Sequence, residues 1–105
     1  MAPHSRPYSC PIARFADLLG DSVSLLILRD TLKKPRRFTD LELLYQGVSS
    51  RTLTLNLKKL TRAGLLRRVP DYSLGNRVYY HIAPKGRALK SVFEAIRIYG
   101  KRHLA

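Results

Sequence analysis

Ser49-Ser50-Arg51-Thr52-Leu53-Thr54-Leu55-Asn56-Leu57-Lys58-Lys59-Leu60-Thr61-Arg62-Ala63-Gly64-Leu65-Leu66-Arg67-Arg68-Val69 is the stretch on which the fold turns. Ser49 is an N-cap residue, and Leu53, Leu57 and Leu60 follow at i, i+4, i+7, the spacing that gathers side chains on one face of an α-helix. Gly64 suits the left-handed terminus of that helix. The opposite face holds Arg51, Leu55, Lys58 and Arg62, flanked by Thr52, Thr54 and Lys59. The segment 49–63 is therefore predicted to bury leucine and to turn a basic side to water. Beyond Gly64 the period changes. Leu65-Leu66-Arg67-Arg68-Val69 and Arg77-Val78-Tyr79-Tyr80-His81-Ile82 read as strands, joined across residues 70–76, where Gly75-Asn76 supplies turn chemistry. The expected product is a two-stranded ribbon tipped by Arg68 and Arg77, spanning residues 65–82.

Outward from this stretch the pattern is helical. Pro11 suits the first turn of a helix to Leu19, with Ile12, Phe15, Ala16 and Leu19 at helical spacing and Gly20 closing it. Asp21 or Ser22 caps a second helix, Val23 to Leu32, whose Leu25-Leu26-Ile27-Leu28 run is apolar all round and predicts a buried centre. Lys33-Lys34-Pro35 ends it. Thr39 is expected to cap a third helix, with Phe38 as a hydrophobic staple, closing near Gln46-Gly47. After the ribbon, Ala83-Pro84-Lys85-Gly86 starts a last helix over 84–102, striped with Leu89, Val92, Phe93, Ile96 and Tyr99. Three helices, a basic helix, a hairpin and a helix make a winged helix-turn-helix: an α+β fold, mainly α, with flanking N- and C-terminal helices. Residues 1–10, with Pro3 and Pro7, read as an extended arm, and residues 11–105 as one domain.

The composition agrees. The 105 residues carry 20 Lys and Arg against 7 Asp and Glu, a formal net charge of +13, yet 45% of the chain is hydrophobic. This is a folded domain facing a polyanion, either nucleic acid or an acidic membrane surface. From Leu43 to Phe93 ten bases face one acid, Asp71. No apolar run approaches the roughly 20 residues that span a bilayer, and residues 1–7 lack the apolar stretch of a secretory signal. The single cysteine, Cys10, builds no disulfide framework, which fits a reducing, cytoplasmic setting. No phosphate-binding glycine loop or close carboxylate pair supports an enzyme, and His4, His81 and His103 lie too far apart for metal-ligand spacing. No cofactor is expected.

In order and spacing, several segments resemble the HxlR-type family of winged-helix transcription regulators, relatives of the MarR group. They are Cys10-Pro11-Ile12-Ala13-Arg14, Leu18-Leu19-Gly20-Asp21, Leu25-Leu26-Ile27-Leu28-Arg29-Asp30, Pro35-Arg36-Arg37-Phe38-Thr39-Asp40-Leu41, Ser49-Ser50-Arg51-Thr52-Leu53, Leu57-Lys58-Lys59-Leu60 and Ala63-Gly64-Leu65-Leu66-Arg67-Arg68. The resemblance implies a dimeric, cytoplasmic, sequence-specific DNA-binding repressor or activator. It departs at Val23, where the family usually has tryptophan, at Leu55-Asn56, where arginines are common, and at the ribbon tip, Asp71 to Asn76.

On this reading the helix 49–63 enters the major groove of double-stranded DNA, where base edges carry a distinguishable code. Arg51 is the leading base reader. Ser50, Thr52, Thr54 and Leu55 lie on the same approach, Thr52 and Thr54 toward bases or phosphates and Leu55 either on a thymine methyl or partly exposed against the wing, and Lys58, Lys59 and Arg62 are assigned to phosphates. Asn56 falls toward the core flank and is not ranked as a reader. Arg68, Asn76 and Arg77 are assigned to the adjacent minor groove or its phosphates, and Arg36, Arg37 and Thr39 to the backbone. Tyr79 and Tyr80 alternate faces, one inward and one wet. Ile12, Phe15, Leu89, Val92, Phe93, Ile96 and Tyr99 are expected to form a homodimer interface. Cys10, before a helix N-terminus and one turn from Arg14, is a candidate sensor, since some relatives use a cysteine there against oxidants or electrophiles; a packed, inert thiol is the alternative. Whether a small molecule or a redox agent is the effector stays open. Rival functions are a nonspecific architectural or chromatin DNA-binding protein and a winged-helix protein-interaction module.

Overall fold

The computed structural model describes residues 10–73 and 75–104, so most of the arm predicted over 1–10 lies outside the described residues. In chain order come α1 (Pro11–Leu19), α2 (Ser22–Lys33), β1 (Arg36–Arg37), α3 (Phe38–Leu44), α4 (Ser50–Arg62), β2 (Leu66–Asp71), β3 (Arg77–Ile82), α5 (Pro84–Arg87) and α6 (Lys90–His103). The mainly helical winged helix-turn-helix architecture is as expected. Among the described residues no helix is long and apolar enough to cross a membrane.

The core gathers where the helical stripes converge. Ile27 and Leu28 of α2, Leu41 of α3, Leu53, Leu57 and Leu60 of α4, and Leu66 and Ile82 of the sheet are all buried in one cluster. The α2 helix is central, although Leu25 and Leu26 are only half-buried and Ser24, Asp30 and Thr31 fill its remaining inner positions. Their polar atoms are satisfied: Thr31 Oγ1 donates to the Ile27 carbonyl at 2.8 Å, removing the cost of burying a hydroxyl.

Four expectations need correction. The ribbon is a three-stranded antiparallel sheet in the order β1-β3-β2, because Arg36 and Arg37 pair with Tyr80 and Tyr79. A two-residue strand is too short to show a period. That pairing keeps the backbone extended through Arg37, so α3 starts at Phe38 and Thr39 lies inside the helix rather than capping it. Asp40 supplies the end contact by accepting from the Arg37 amide at 2.8 Å. Tyr79 and Tyr80 are both half-buried rather than one inward and one wet, with Tyr80 packed on the core. The last helix is interrupted: α5 ends at Arg87, and α6 restarts at Lys90. The Gly86 backbone lies so close to the sheet that a Cβ there would stand 2.4 Å from the Leu65 carbonyl oxygen. The Leu89 amide then closes a tight turn on the Gly86 carbonyl at 3.0 Å, which redirects the chain into α6.

One buried polar cluster joins α2, β1 and the end of α3. Asp30, its side chain 5% exposed, accepts from Arg29 Nε and Nη2, both at 3.1 Å, and from the Tyr45 hydroxyl. The same Tyr45 hydroxyl lies 2.8 Å from the Leu26 carbonyl oxygen and shares its one proton between the two acceptors, and Arg36 Nε donates to the Asp30 carbonyl at 2.9 Å. Burial alone would raise the Asp30 carboxyl, but the bonds from Arg29 and Tyr45 and the nearby Arg36 charge hold it below the ordinary range. Burial and the adjacent carboxylate push the Tyr45 phenol up. Because the folded chain releases the Asp30 proton more readily than the unfolded one, the stabilisation is complete above about pH 4 and is lost as pH falls through the lowered folded value. Asp30→Asn should cost about 1–3 kcal/mol at pH 7. In urea titrations at pH 7 and pH 3 its deficit against the wild type should shrink at the acid pH; an equal deficit at both would contradict this account.

Candidate nucleic-acid interface

The α4 helix carries the densest set of singled-out residues. Ser49 caps it, its Oγ accepting from the Thr52 amide at 3.1 Å. At the other end the Gly64 amide bonds to the Thr61 carbonyl and the Leu65 amide to the Leu60 carbonyl, both at 3.0 Å. This pair of bonds needs the left-handed Gly64, at φ 81°. Lys85 Nζ adds a bond to the Ala63 carbonyl at 3.1 Å, placing a cation on the negative end of the helix. With Leu53, Leu57 and Leu60 buried, Arg51, Thr52, Lys58 and Arg62 are exposed, and Leu55 stands 52% exposed among them. Thr54 is half-buried. Ser50 Oγ donates to Glu42 at 3.0 Å, and the Thr52 hydroxyl accepts from Ser49 Oγ at 3.0 Å, so both hydroxyls brace the turn into the helix.

The inner flank of α4 is polar and engaged. Lys59 Nζ meets Asp21 Oδ1 at 2.8 Å, while Asp21 Oδ2 accepts from the Ser24 amide at 2.9 Å and caps α2. Buried Ser24 donates from Oγ to Asn56 Oδ1 at 2.6 Å, and Asn56 Nδ2 donates to the Thr52 carbonyl at 2.9 Å. Partial burial would raise the Asp21 carboxyl, but the bonds from Lys59 and Ser24 leave it below its usual value. The Asp21 and Ser24 contacts to α4 escaped sequence reasoning. Thirty-eight residues separate Asp21 from Lys59, and no local pattern marks the pair.

The wing brings one cation, Arg68, to the same side. Arg68 of β2 sits opposite Tyr80 of β3, and together with Lys58, Thr61, Arg62, Phe38 and Thr54 it lines a cleft of about 290 Å³ between α4 and the sheet. Lys58, Arg62 and Arg68 thus form one cationic surface drawn from two elements. Arg67, passed over in the sequence, is also exposed on β2. Arg77 is half-buried at the far end of the ribbon, opposite Asp71, and Asn76 is exposed beside it. Asp71 accepts from the Ser73 amide at 3.0 Å and from its hydroxyl at 2.6 Å, which bends the chain out of β2. Arg36 and Arg37 are half-buried in β1, Arg36 spending its Nε on Asp30, whereas Thr39 is exposed. Cys10 is an exposed thiol immediately before α1 and remote in sequence from these groups.

This arrangement can hold polyanionic backbone across α4 and the wing while presenting Arg51 and Leu55 to whatever lies between. The chain is 35% identical over 91 residues to the uncharacterized HTH-type transcriptional regulator sll1512 of Synechocystis, spanning 87% of this chain and 67% of that protein. It is 27% identical over 94 residues to the uncharacterized HTH-type transcriptional regulator YdeP of Bacillus subtilis, spanning 90% and 73%. The crystal structure of PA1607 superposes with a TM-score of 0.86 at 34% identity, over 99% of this chain and 71% of that one. The reduced form of the transcriptional regulator YodB from B. subtilis does so at 0.78 and 26% identity, over 90% and 93%. The sequence profile of the HxlR-like helix-turn-helix family matches residues 18–105, nearly the whole fold. The chain belongs to that family, and it is a transcriptional regulator with a winged helix-turn-helix domain.

Proposed function

We propose that residues 11–105 act as one unit that binds double-stranded DNA sequence-specifically as a homodimer, α4 in the major groove and the wing at the adjacent minor groove. The carrying observation is that the outward flank of α4 continues across the cleft into Arg68, so helix and wing offer one cationic face. Arg51, near the leading end of α4, reads a base; Leu55 packs on a thymine methyl; Lys58, Arg62 and Arg68 hold phosphates. Thr52 and Thr54 lie along the same edge, and Asn76 and Arg77 face the minor groove from the ribbon tip. Selection of duplexes from a random library by the purified protein tests this reading. Recovery of one motif supports it, while equal retention of all sequences favours an architectural binder and no retention a protein-interaction module. Arg51→Ala should cost about 1–3 kcal/mol on the selected duplex and less on a scrambled one; equal loss on both would make Arg51 a phosphate contact.

The dimer reading rests on α6, none of whose residues is buried within the chain. Val92, Ile96 and Tyr99 are exposed, as are Ile98 and Leu104, which the sequence reading passed over. An apolar groove of about 580 Å³, floored by Leu32, Phe93 and Ile96, runs between α2 and α6. Exposed Ile12 of α1 offers a second copy an apolar side chain for such a groove. Phe15, Leu89 and Phe93 already pack against their own core, so they support this face from beneath. Ile96→Asp with Tyr99→Asp should convert a dimer to a folded monomer by light scattering and circular dichroism. A monomeric wild type would sink the claim.

Cys10 is assigned the sensing role. Its thiol is exposed, and YodB, similar over 90% of this chain, was crystallised in reduced and diamide-treated forms. Diamide should take two electrons and two protons from the Cys10 thiols of two subunits, being reduced to the hydrazine as their S–S bond forms, and this intersubunit disulfide should then release DNA, in a cytoplasmic protein that thiols can reset. Cys10→Ser should abolish release by diamide while preserving affinity; release that persists in the variant assigns sensing elsewhere.

A further inference from the structure

Burial of Leu53, Leu57 and Leu60 holds α4 against the core, but the hydrophobic effect is non-directional and sets the roll and slide of a helix less sharply than hydrogen bonds do. A helix that reads base edges needs both fixed, because a side chain displaced by an ångström misses its partner atoms. Directional bonds sharpen both. Two such bonds join α4 to the N-terminal turn of α2: Lys59 Nζ to Asp21 at 2.8 Å and Ser24 Oγ to Asn56 at 2.6 Å. Residues 56 and 59 are three apart on α4, and 21 and 24 three apart at the start of α2, so each bond engages one helical step on either side. The bonds share further partners. Asp21 holds Lys59 with one oxygen and the Ser24 amide with the other, and Asn56 holds Ser24 with its oxygen and the Thr52 carbonyl with its nitrogen.

We propose that Asp21, Ser24, Asn56 and Lys59 form a latch that sets the roll and axial position of the recognition helix, and that Lys59 is thereby withheld from phosphate. They are positioning residues for sequence discrimination and touch no DNA. The inference rests on α4 being the DNA-reading helix, and it revises the assignment of Lys59, which on spacing alone belongs with Lys58 and Arg62. The latch also ties the orientation of α4 to the point where α1 runs into α2. There Gly20 lies so close to α1 that a Cβ would stand 2.4 Å from the Ala16 carbonyl oxygen.

Salt dependence separates a positioning lysine from a phosphate ligand, since removing one phosphate ligand lowers the slope of log affinity against log salt by about one. The experiment measures binding of the selected duplex and a scrambled duplex at several salt concentrations. Unfolding curves confirm that each variant is folded. Lys58→Gln removes one ligand from each subunit of the proposed dimer and should lower the slope by about two on both duplexes. Lys59→Gln should leave the slope unchanged and reduce the preference for the selected duplex by up to about fivefold, the most a half-exposed ion pair supplies. Lys59→Arg, which can still reach Asp21, should retain the preference. Asn56→Ala, which strands the buried Ser24 hydroxyl, should reduce the preference about tenfold with the slope again intact. A Lys59→Gln slope that falls like that of Lys58→Gln would make Lys59 a phosphate ligand and overturn the proposal, as would an Asn56→Ala variant with undiminished preference. If the wild type binds neither duplex, the reading of α4 itself fails, which is distinguishable from failure of the latch.

Discussion

Leu53, Leu57 and Leu60 pack into one cluster with Ile27 and Leu28 of α2, and the three are at most 1% exposed. Burying a leucine side chain is worth about 1.5–3 kcal/mol, several times what any exposed charge on the same helix contributes. Apolar burial therefore decides which way α4 faces. Once the leucines are inside, helical geometry leaves Arg51, Leu55, Lys58 and Arg62 no position but outward. The cationic face is thus a consequence of the core.

Around that core, polar groups set orientation. The Asp30 cluster ties α2 to β1 and to Tyr45 at the end of α3, and the bonds from Asp21 and Ser24 tie α2 to α4. The α2 helix, central by its leucines and isoleucine, is thus also the reference against which both helices of the helix-turn-helix are set. Two carboxylates at this helix, buried Asp30 and exposed Asp21 at its cap, are held ionised by hydrogen bonds strong enough to outweigh desolvation.

The 20 Lys and Arg overstate what the α4 face can offer, because several cations are engaged within the chain. Arg29 and Arg36 serve Asp30, Lys59 serves Asp21, Lys85 closes α4, and Arg97 pairs with Glu94 at 2.5 Å. What remains around the α4 cleft is Lys58, Arg62 and Arg68, with Arg51 leading the helix. A small set of this kind suits a regulator whose specificity comes from placement, since phosphate neutralisation alone carries no sequence information.

Local chemistry made much of this legible in the residues themselves. The i, i+4, i+7 leucines, the Ser49 cap, the Gly64 terminus and the alternation after it announced a basic amphipathic helix followed by a wing, because each signal acts within one or two turns of chain. Family resemblance rested on these segments together with others between Cys10 and Leu41. Tertiary structure alone revealed β1, the break between α5 and α6, the engaged state of Arg36 and Lys59, and the joining of Lys58 and Arg62 to Arg68 across a cleft. Those outcomes depend on residues far apart in the chain meeting in space. A lysine reads the same in a sequence whether its charge will face solvent or a carboxylate thirty-eight positions away, and only the packing of α2 against α4 distinguishes the two.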